Sequence, residues 1–176
     1  MSTCFLANLS EILMIVVMKA KYEKIVILDN IRSTHNVGSI FRTADAVGMD
    51  RIYLCGTTPT PIDRFGRERK DIAKVSLGGE KSVSWEYAED PIRIVKKLKK
   101  EGYQIIALEQ AENSIDYKKF KTKSRIALVL GNEVDGVDRK ILKLADAIVE
   151  IPMKGKKESL NVGVSFGVAA FRLLGV

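Results

Sequence analysis

The chain has 176 residues, 46% hydrophobic and 29% charged, which is the balance of one globular domain with a sizeable core. Its formal net charge of +7 favours an anionic partner, with nucleic acid first among the candidates. Cys4, Cys55 and the single histidine, His35, are too few for a disulfide framework, a thiolate metal site or a multi-histidine metal site, and this cysteine usage suits a reducing cytoplasm.

The chain begins with an apolar stretch over residues 1–17 that Glu11 interrupts and no positive charge precedes. This stretch is too short and too broken for a membrane span, and it lacks the pattern of a signal peptide. Met18 is another methionine at which translation could start. We therefore expect residues 1–17 to be an extension or docking segment and residues 18–176 to form a single domain.

Short apolar runs rich in Ile, Val and Leu alternate with helical patterns along the rest of the chain. The runs predict buried strands over 24–30, 51–56, 104–110, 125–131 and 147–152. The helical patterns cover 36–48, 91–101, 138–145 and 159–174. This alternation predicts an α/β fold with a mainly parallel sheet and helices on both faces. Prolines and glycines over 57–85 predict a long loop with one short helix inside it.

The first predicted helix combines an apolar stripe with an arginine on its other side. The stripe, at helical spacing, consists of Val37, Ile40, Phe41, Ala44 and Val47. At about 100° per residue, Arg42 projects away from that stripe, near Ser39 and Ala46. Taken alone, such an arginine is expected to be a solvated surface residue.

Three polar loops follow the strands at 24–30, 125–131 and 147–152. Ligands of open parallel sheets bind beyond the carboxyl ends of the strands, so these loops predict a single site. No G-x-G-x-x-G follows the first strand, and Val137 and Asp138 stand where a phosphate-binding P-loop needs Lys and Ser or Thr. Asp135 and Asp138 are expected to form turns or helix N-caps, and Ser159 is expected to cap the last helix.

The last predicted helix carries one charge, Arg172, and is apolar nearly all round. Such a helix needs burial on every side, and a domain of this size has little room to enclose it. One face is therefore expected to contact a second copy of the chain, forming a homodimer.

Three motifs in this order carry a family resemblance: NVGSIFRTADAVG over 36–48, LVLGNEVDGV over 128–137, and IPMKGKKESLNVGVSFGVAAF over 151–171. They resemble the ordered motifs of the SpoU (TrmH-type) branch of the SPOUT RNA methyltransferases, across about residues 24–174. Gly163 and Ser165 depart from the family's pattern, which has a "SLNVSVA"-like run there, and this departure is expected to loosen the last helix.

The resemblance implies an S-adenosylmethionine site, no metal, methylation of a ribose 2′-hydroxyl in RNA, and a C-terminal trefoil knot. The implied cofactor-binding residues are Leu130, Gly131, Asn132, Ile151, Met153, Ser159 and Leu160. The implied catalytic set is Asn36, Arg42, Glu133, Ser159 and Asn161. A guanidinium keeps its proton, so Arg42 is expected to hold an RNA phosphate and stabilise a developing alkoxide, while the phosphate or a water accepts the proton.

Further cations are expected to contact RNA phosphates: Arg64, Arg67, Arg69, Lys154, Lys156 and Lys157. Transfer RNA is mildly favoured over ribosomal RNA, because larger ribosomal-RNA members tend to carry a separate RNA-binding domain before this core. A non-catalytic RNA-binding dimer that keeps the fold is the alternative from another class. A small-molecule methyltransferase ranks third, since the basic charge counts against it.

Overall fold

In the computed structural model, which describes residues 22–176, seven strands form one sheet whose neighbours are all parallel. The strands are β1 (Glu23–Asp29), β2 (Arg51–Cys55), β3 (Ser84–Ala88), β4 (Gln104–Leu108), β5 (Ile115–Asp116), β6 (Arg125–Leu130) and β7 (Ala147–Glu150). Their order in the sheet is β3-β2-β1-β6-β4-β7-β5. The predicted extension over residues 1–17 lies outside the described residues.

Helices cover both faces of this sheet. Within residues 22–176 they are α1 (Thr34–Ala46), α2 (Lys70–Ser76), α3 (Gly79–Ser82), α4 (Pro91–Lys100), α5 (Arg139–Leu144) and α6 (Val162–Leu174). Val26 and Leu28 of β1 pack with α1 and α6, whereas Ile25 and Ile27 pack with α4 and α5. The structure thus confirms the predicted fold class. No helix in this part of the chain is long and apolar enough to cross a membrane.

The five predicted strands are all present, and β3 and β5 are additional. The stretch predicted as a long loop with one helix contains two short helices, α2 and α3, and the start of β3. β3 pairs only with β2 and has the sequence SWEYA, so its polar residues face solvent at the sheet edge. An edge strand with two aromatic residues gives a weak apolar pattern, which explains why the sequence did not predict it.

Side-chain caps set the helix starts. α1 begins two residues before the predicted start, because Ser33 Oγ accepts a hydrogen bond from the Asn36 backbone N–H at 3.3 Å. α6 begins at Val162, and its N-cap is Asn161, whose Oδ1 accepts from the Gly163 N–H at 2.9 Å. The prediction that Ser159 caps this helix is therefore wrong. The predicted cap at Asp138 is confirmed, since its Oδ1 accepts from the Lys140 N–H at 2.6 Å.

Small residues bring α1 and α6 together. A Cβ built on Gly163 would lie 3.2 Å from Ser39 Oγ, and one on Gly167 would lie 3.8 Å from Thr43 Cγ2. Gly163 is buried, and α6 runs unbroken to Leu174. The departure from the family pattern at Gly163 thus removes a side chain at a close helix contact and leaves the helix intact.

The connection from β4 to β6, residues 109–124, contacts both ends of the C-terminal segment. Gln110 Nε2 donates to the Glu158 carbonyl at 2.7 Å, before α6 begins. Thr122 Oγ1 donates to the Leu173 carbonyl at 2.9 Å, in the last turn of α6. This connection is therefore hydrogen-bonded both to the segment before α6 and to the last turn of α6.

Candidate functional site

A cavity of about 470 Å³ lies at the carboxyl ends of β4, β6 and β7, beside the start of α6. All seven residues predicted to bind a cofactor line it: Leu130, Gly131, Asn132, Ile151, Met153, Ser159 and Leu160. Glu133 and Asn161 line it as well, whereas Asn36 and Arg42 do not. The loops after β6 and β7 thus share one site, as the strand-end argument predicts, but the third loop that lines it follows β4. The loop after β1, which was predicted to share the site, contributes no lining residue.

The loop after β6 closes on itself at the edge of this cavity. Asn132 and Gly136 exchange two backbone hydrogen bonds of 3.0 Å each, and Asn132 Nδ2 donates to the Asn30 carbonyl at 2.7 Å. A Cβ on Gly131 would lie 2.1 Å from the Gly136 carbonyl carbon, which is far inside van der Waals contact. Only glycine therefore fits at position 131 in this loop.

Three of the predicted site residues form a hydrogen-bonded chain. Asn36, 9% exposed, donates from Nδ2 to Glu133 Oε1 at 2.8 Å and accepts at Oδ1 from Asn161 Nδ2 at 2.9 Å. The Glu133 carboxylate also accepts from the backbone N–H groups of Arg32 at 3.1 Å and Ser33 at 3.2 Å. The chain therefore links the loop after β1, the loop after β6 and the start of α6.

These hydrogen bonds favour the ionised form of Glu133. Partial burial raises the pKa of its carboxyl, but the hydrogen bonds from Arg32 and Asn36 outweigh that effect and hold the pKa below its ordinary value. The carboxylate is ionised at neutral pH, and its oxygens already accept three hydrogen bonds. The Glu133 carboxylate therefore connects the loop after β6 to the loop after β1 and to α1.

Two further acidic residues, which the sequence analysis missed, hold the same loops. Glu109, directly after β4, accepts from the Val137 N–H at 2.9 Å and lines the cavity. Asp29, the last residue of β1, is buried and accepts from the Asp138 N–H at 3.1 Å. Burial raises the pKa of the Asp29 carboxyl, against the opposing hydrogen bond from Asp138. Their positions at the carboxyl ends of β1 and β4 could have indicated these two residues from the sequence.

Arg42 is exposed on α1, on the side predicted from helical spacing. It follows Asn36 by six residues, which places it about 9 Å further along the helix axis. Its guanidinium makes no hydrogen bond or ion pair with any residue from 22 to 176. Behind it, a Cβ on Gly79 would lie 3.1 Å from the Arg42 backbone nitrogen, so α3 supports this part of α1. The backbone at Arg42 is thus packed against α3, whereas its guanidinium is exposed and unpaired among the described residues and lies outside the cavity.

The other predicted cations fall into two groups. Lys154, Lys156 and Lys157 are exposed on the segment between Met153 and Ser159, both of which line the cavity. The second group is Arg64, Arg67 and Arg69, in the segment between β2 and α2. The three lysines are therefore flanked along the chain by residues that line the cavity, whereas the three arginines belong to a different segment.

The cavity lining suits a ligand with a flat apolar part and several polar groups. Its volume falls in the range of about 300–1,000 Å³ that small-molecule sites occupy. Leu130, Ile151 and Leu160 supply apolar surface, and the closed loop around Gly131 brings backbone to the cavity wall. These features fit the S-adenosylmethionine that the motif resemblance implies.

Comparisons with known proteins support the family resemblance of the three motifs. A model of the SpoU rRNA Methylase family matches residues 23–171. A tRNA (guanosine(18)-2′-O)-methyltransferase of Aquifex aeolicus is 31% identical over 153 residues, covering 87% of this chain and 69% of the relative. A TrmH-family protein of Staphylococcus epidermidis is 31% identical over 167 residues, covering 95% of this chain and 64% of that protein.

Among solved structures, the AdoMet-bound rRNA methyltransferase from Sinorhizobium meliloti superposes with a TM-score of 0.77 at 28% identity. That likeness covers 85% of this chain and 55% of the other. The chain therefore spans between 55% and 69% of the length of these three proteins.

Proposed function

Because this chain belongs to the SpoU rRNA Methylase family, we propose that it is an S-adenosylmethionine-dependent enzyme that methylates a ribose 2′-hydroxyl in RNA. The observation that carries this proposal is the convergence of all seven predicted cofactor residues on one cavity. The chain of hydrogen bonds through Asn36, Glu133 and Asn161 adjoins that cavity and supports the same assignment.

The cofactor, when bound, supplies an electrophilic methyl group for an in-line displacement by the ribose oxygen. Leu130, Ile151 and Leu160 would hold its adenine ring against apolar surface, and the backbone around Gly131 and Met153 would meet its polar edge. The protein's contribution is to hold both reactants in one geometry, which is where much of the rate of such a transfer originates.

Arg42 is the proposed catalytic residue. Its guanidinium cannot accept the proton of the hydroxyl, because it stays protonated at any accessible pH. It binds the RNA phosphate beside the target ribose and stabilises the negative charge that develops on the 2′-oxygen, while the phosphate or a water takes the proton. Asn36, Glu133 and Asn161 are positioning residues, since their side chains bond to one another. Ser159 lines the cavity and shapes it.

A homodimer is part of the proposal. Val164, Val168 and Phe171 are 52%, 38% and 42% exposed and recur at helical spacing on the outer face of α6. A second copy would cover this apolar stripe. Arg42 lies next to Thr43, which faces Gly167 of α6, so the dimer would place Arg42 near the boundary between the subunits.

We also propose the trefoil knot that the family resemblance implies. The contacts of residues 109–124 with both Glu158 and Leu173 support it, because this connection lies against the two ends of the C-terminal segment. Transfer RNA is the favoured substrate, on the strength of the Aquifex aeolicus relative, and the cytoplasm is the proposed location.

The test is incubation of the purified full chain with labelled S-adenosylmethionine and unmodified total RNA, followed by separation of transfer from ribosomal RNA. Calorimetric titration measures cofactor binding in parallel. Cofactor binding together with label in the transfer-RNA fraction is the expected result. RNA binding with neither cofactor binding nor label would replace the enzyme with the non-catalytic RNA-binding dimer.

A further inference from the structure

A short hairpin between β2 and α2 exposes an aromatic ring at its tip. Ile62 and Glu68 form an antiparallel bridge, and the Asp63 N–H donates to the Arg67 carbonyl at 2.8 Å. Asp63 Oδ1 accepts from the backbone N–H groups of Phe65 at 2.8 Å and Arg67 at 2.9 Å. This network fixes the tip, so Phe65 is held with 63% of its surface exposed.

Phe65 shares a second cavity, of about 820 Å³, with two aromatic side chains of β3. Trp85 pairs with Ile52 and Tyr87 with Leu54, residues whose side chains pack in the same core as α1. Both aromatic side chains therefore point to the face of the sheet that carries α1. Tyr87 is half exposed. The cavity thus offers three aromatic rings to a ligand while remaining open to solvent.

The charged residues that line this cavity are two arginines, Arg64 and Arg69, and one aspartate, Asp63. The guanidinium carbons of Arg64 and Arg67 each lie 4.8 Å from the centre of the Phe65 ring. Arg69 lines the cavity, and its buried Nε has no hydrogen-bond partner among residues 22–176. The nearby Asp63 is already occupied by backbone donors and by Arg67. The site therefore fits a planar ring attached to an anion.

One residue connects this cavity to the proposed methylation site. Asn30, the first residue after β1, accepts at Oδ1 from the Thr57 N–H at 3.0 Å, and Thr57 lines the aromatic cavity. The Asn30 carbonyl accepts from Asn132 Nδ2 at 2.7 Å, and Asn132 lines the cofactor cavity. The two cavities thus lie on either side of the loop after β1, at the same edge of the sheet.

We propose that the cavity formed by Phe65, Trp85 and Tyr87 binds an unpaired nucleobase of the RNA that is methylated, at a position flanking the target nucleotide. The base stacks on the aromatic rings, which is how proteins hold unstacked bases of RNA. Arg64 and Arg69 neutralise its phosphate. This inference rests on the proposed function, because it takes the same RNA as the ligand of both cavities.

Trp85 is the single tryptophan of the chain, so its fluorescence reports on this cavity directly. The experiment titrates the full chain with a mixed-sequence single-stranded oligoribonucleotide of about 12 nucleotides, within the range of single-strand site sizes. An abasic oligomer of the same length, which keeps the ribose phosphates and lacks the bases, is the matched control. The oligoribonucleotide is expected to quench the emission, and the abasic oligomer is expected to leave it unchanged.

Variants of the rings complete the test. Phe65→Leu and Tyr87→Leu keep apolar bulk and remove the aromatic face, so each is expected to weaken oligoribonucleotide binding roughly 5- to 150-fold. Phe65→Tyr is expected to bind like the parent chain. Equal quenching by both oligomers, or unchanged affinity in Phe65→Leu, would overturn the base pocket. A change of oligomeric state in Phe65→Leu without loss of binding would assign the ring to a protein contact and overturn it too.

The readout separates this inference from the proposed function, because quenching requires neither cofactor nor turnover. Base-dependent quenching without methylation of any RNA would contradict the proposed methyltransferase activity and support the nucleobase-binding cavity. Methylation with an unchanged KM for RNA in Phe65→Leu and Tyr87→Leu would reject the pocket and retain the enzyme. Thermal unfolding of each variant checks that the fold is intact.

Discussion

Asn161 Nδ2 donates a 2.9 Å hydrogen bond to Asn36 Oδ1, joining side chains 125 residues apart in the chain. Asn36 passes the connection on to Glu133, and Asn161 also caps α6. The Asn36 side chain therefore connects α1 to the start of α6 and to the loop after β6. Because Asn161 and Glu133 line the cofactor cavity, we expect substitutions along this connection to affect stability and cofactor binding together.

A double-mutant cycle measures the connection. Asn36→Ala leaves partners of a buried amide unpaired, at a cost of about 1–3 kcal/mol in the free energy of unfolding. Asn161→Ala loses both its hydrogen bond to Asn36 and the cap of α6. The double-mutant cycle isolates the interaction energy between the Asn36 and Asn161 side chains. We expect a coupling energy of about 0.5–3 kcal/mol from urea unfolding. As a control, Asn36→Ala combined with Asp138→Ala, which removes the cap of α5, should be additive. Additivity of Asn36→Ala with Asn161→Ala would contradict the connection.

Gly131 is expected to tolerate no side chain. In Gly131→Ala the new Cβ would lie 2.1 Å from the Gly136 carbonyl carbon, so the closed loop after β6 must open. We expect a loss of about 3 kcal/mol, typical of severe overpacking, and a fall in Tm of roughly 6–12 °C. Gly155→Ala is the matched control, because nothing lies within 4 Å of its Cβ position. A Gly131→Ala chain as stable as the control would show that the loop is not closed in this way.

The free energy of unfolding should depend on pH through the ionisation of Glu133. Its folded-state pKa lies below the ordinary value of 4.5, so its contribution to stability is fully present above that pH and is lost as the pH falls through the folded-state pKa. We expect Glu133→Gln to be roughly 1 kcal/mol less stable at neutral pH, a modest cost for a partly exposed carboxylate. Urea unfolding between neutral and acidic pH should show this difference shrinking as the pH falls. A difference independent of pH would rule out the depressed pKa.

The outer face of α6 should control the oligomeric state. Val168→Glu places a charge in the exposed stripe of Val164, Val168 and Phe171, and a buried unpaired charge in an interface is costly. Light scattering after gel filtration is expected to show a dimer for the parent chain and a monomer for Val168→Glu. Lys96→Glu, on the exposed side of α4, should remain dimeric. The dimer is excluded if the parent chain has the mass of a monomer.

Much of the fold follows from local patterns in the sequence. The five apolar runs gave the five main strands, and the spacing of Val37, Ile40 and Phe41 placed Arg42 on the exposed side of α1. The strand-end argument correctly placed the loops after β6 and β7 at one site, whereas the individual cofactor residues were implied by the motif resemblance. β3 was missed because an edge strand buries few residues.

Contacts between distant residues could not be predicted in the same way. Nothing in the local sequence indicates that Asn36 accepts a hydrogen bond from Asn161, since the pairing depends on how α6 returns to α1. Ser159 and Asn161 are both good N-cap residues, so local propensity alone could not choose between them. The structure assigns the cap to Asn161, leaving Ser159 on the cavity wall.

The most direct measurement is the chemical identity of the methylated nucleoside. RNA treated with the parent chain, Arg42→Ala or Arg93→Ala is digested to nucleosides and analysed by mass spectrometry. Arg93 is an exposed arginine on α4, on the opposite face of the sheet from α1. We predict a methyl group on the ribose for the parent chain and Arg93→Ala, and a loss of at least about 100-fold for Arg42→Ala with the fold intact. A methyl group on a base, or full activity in Arg42→Ala, would contradict the proposed reaction at this site.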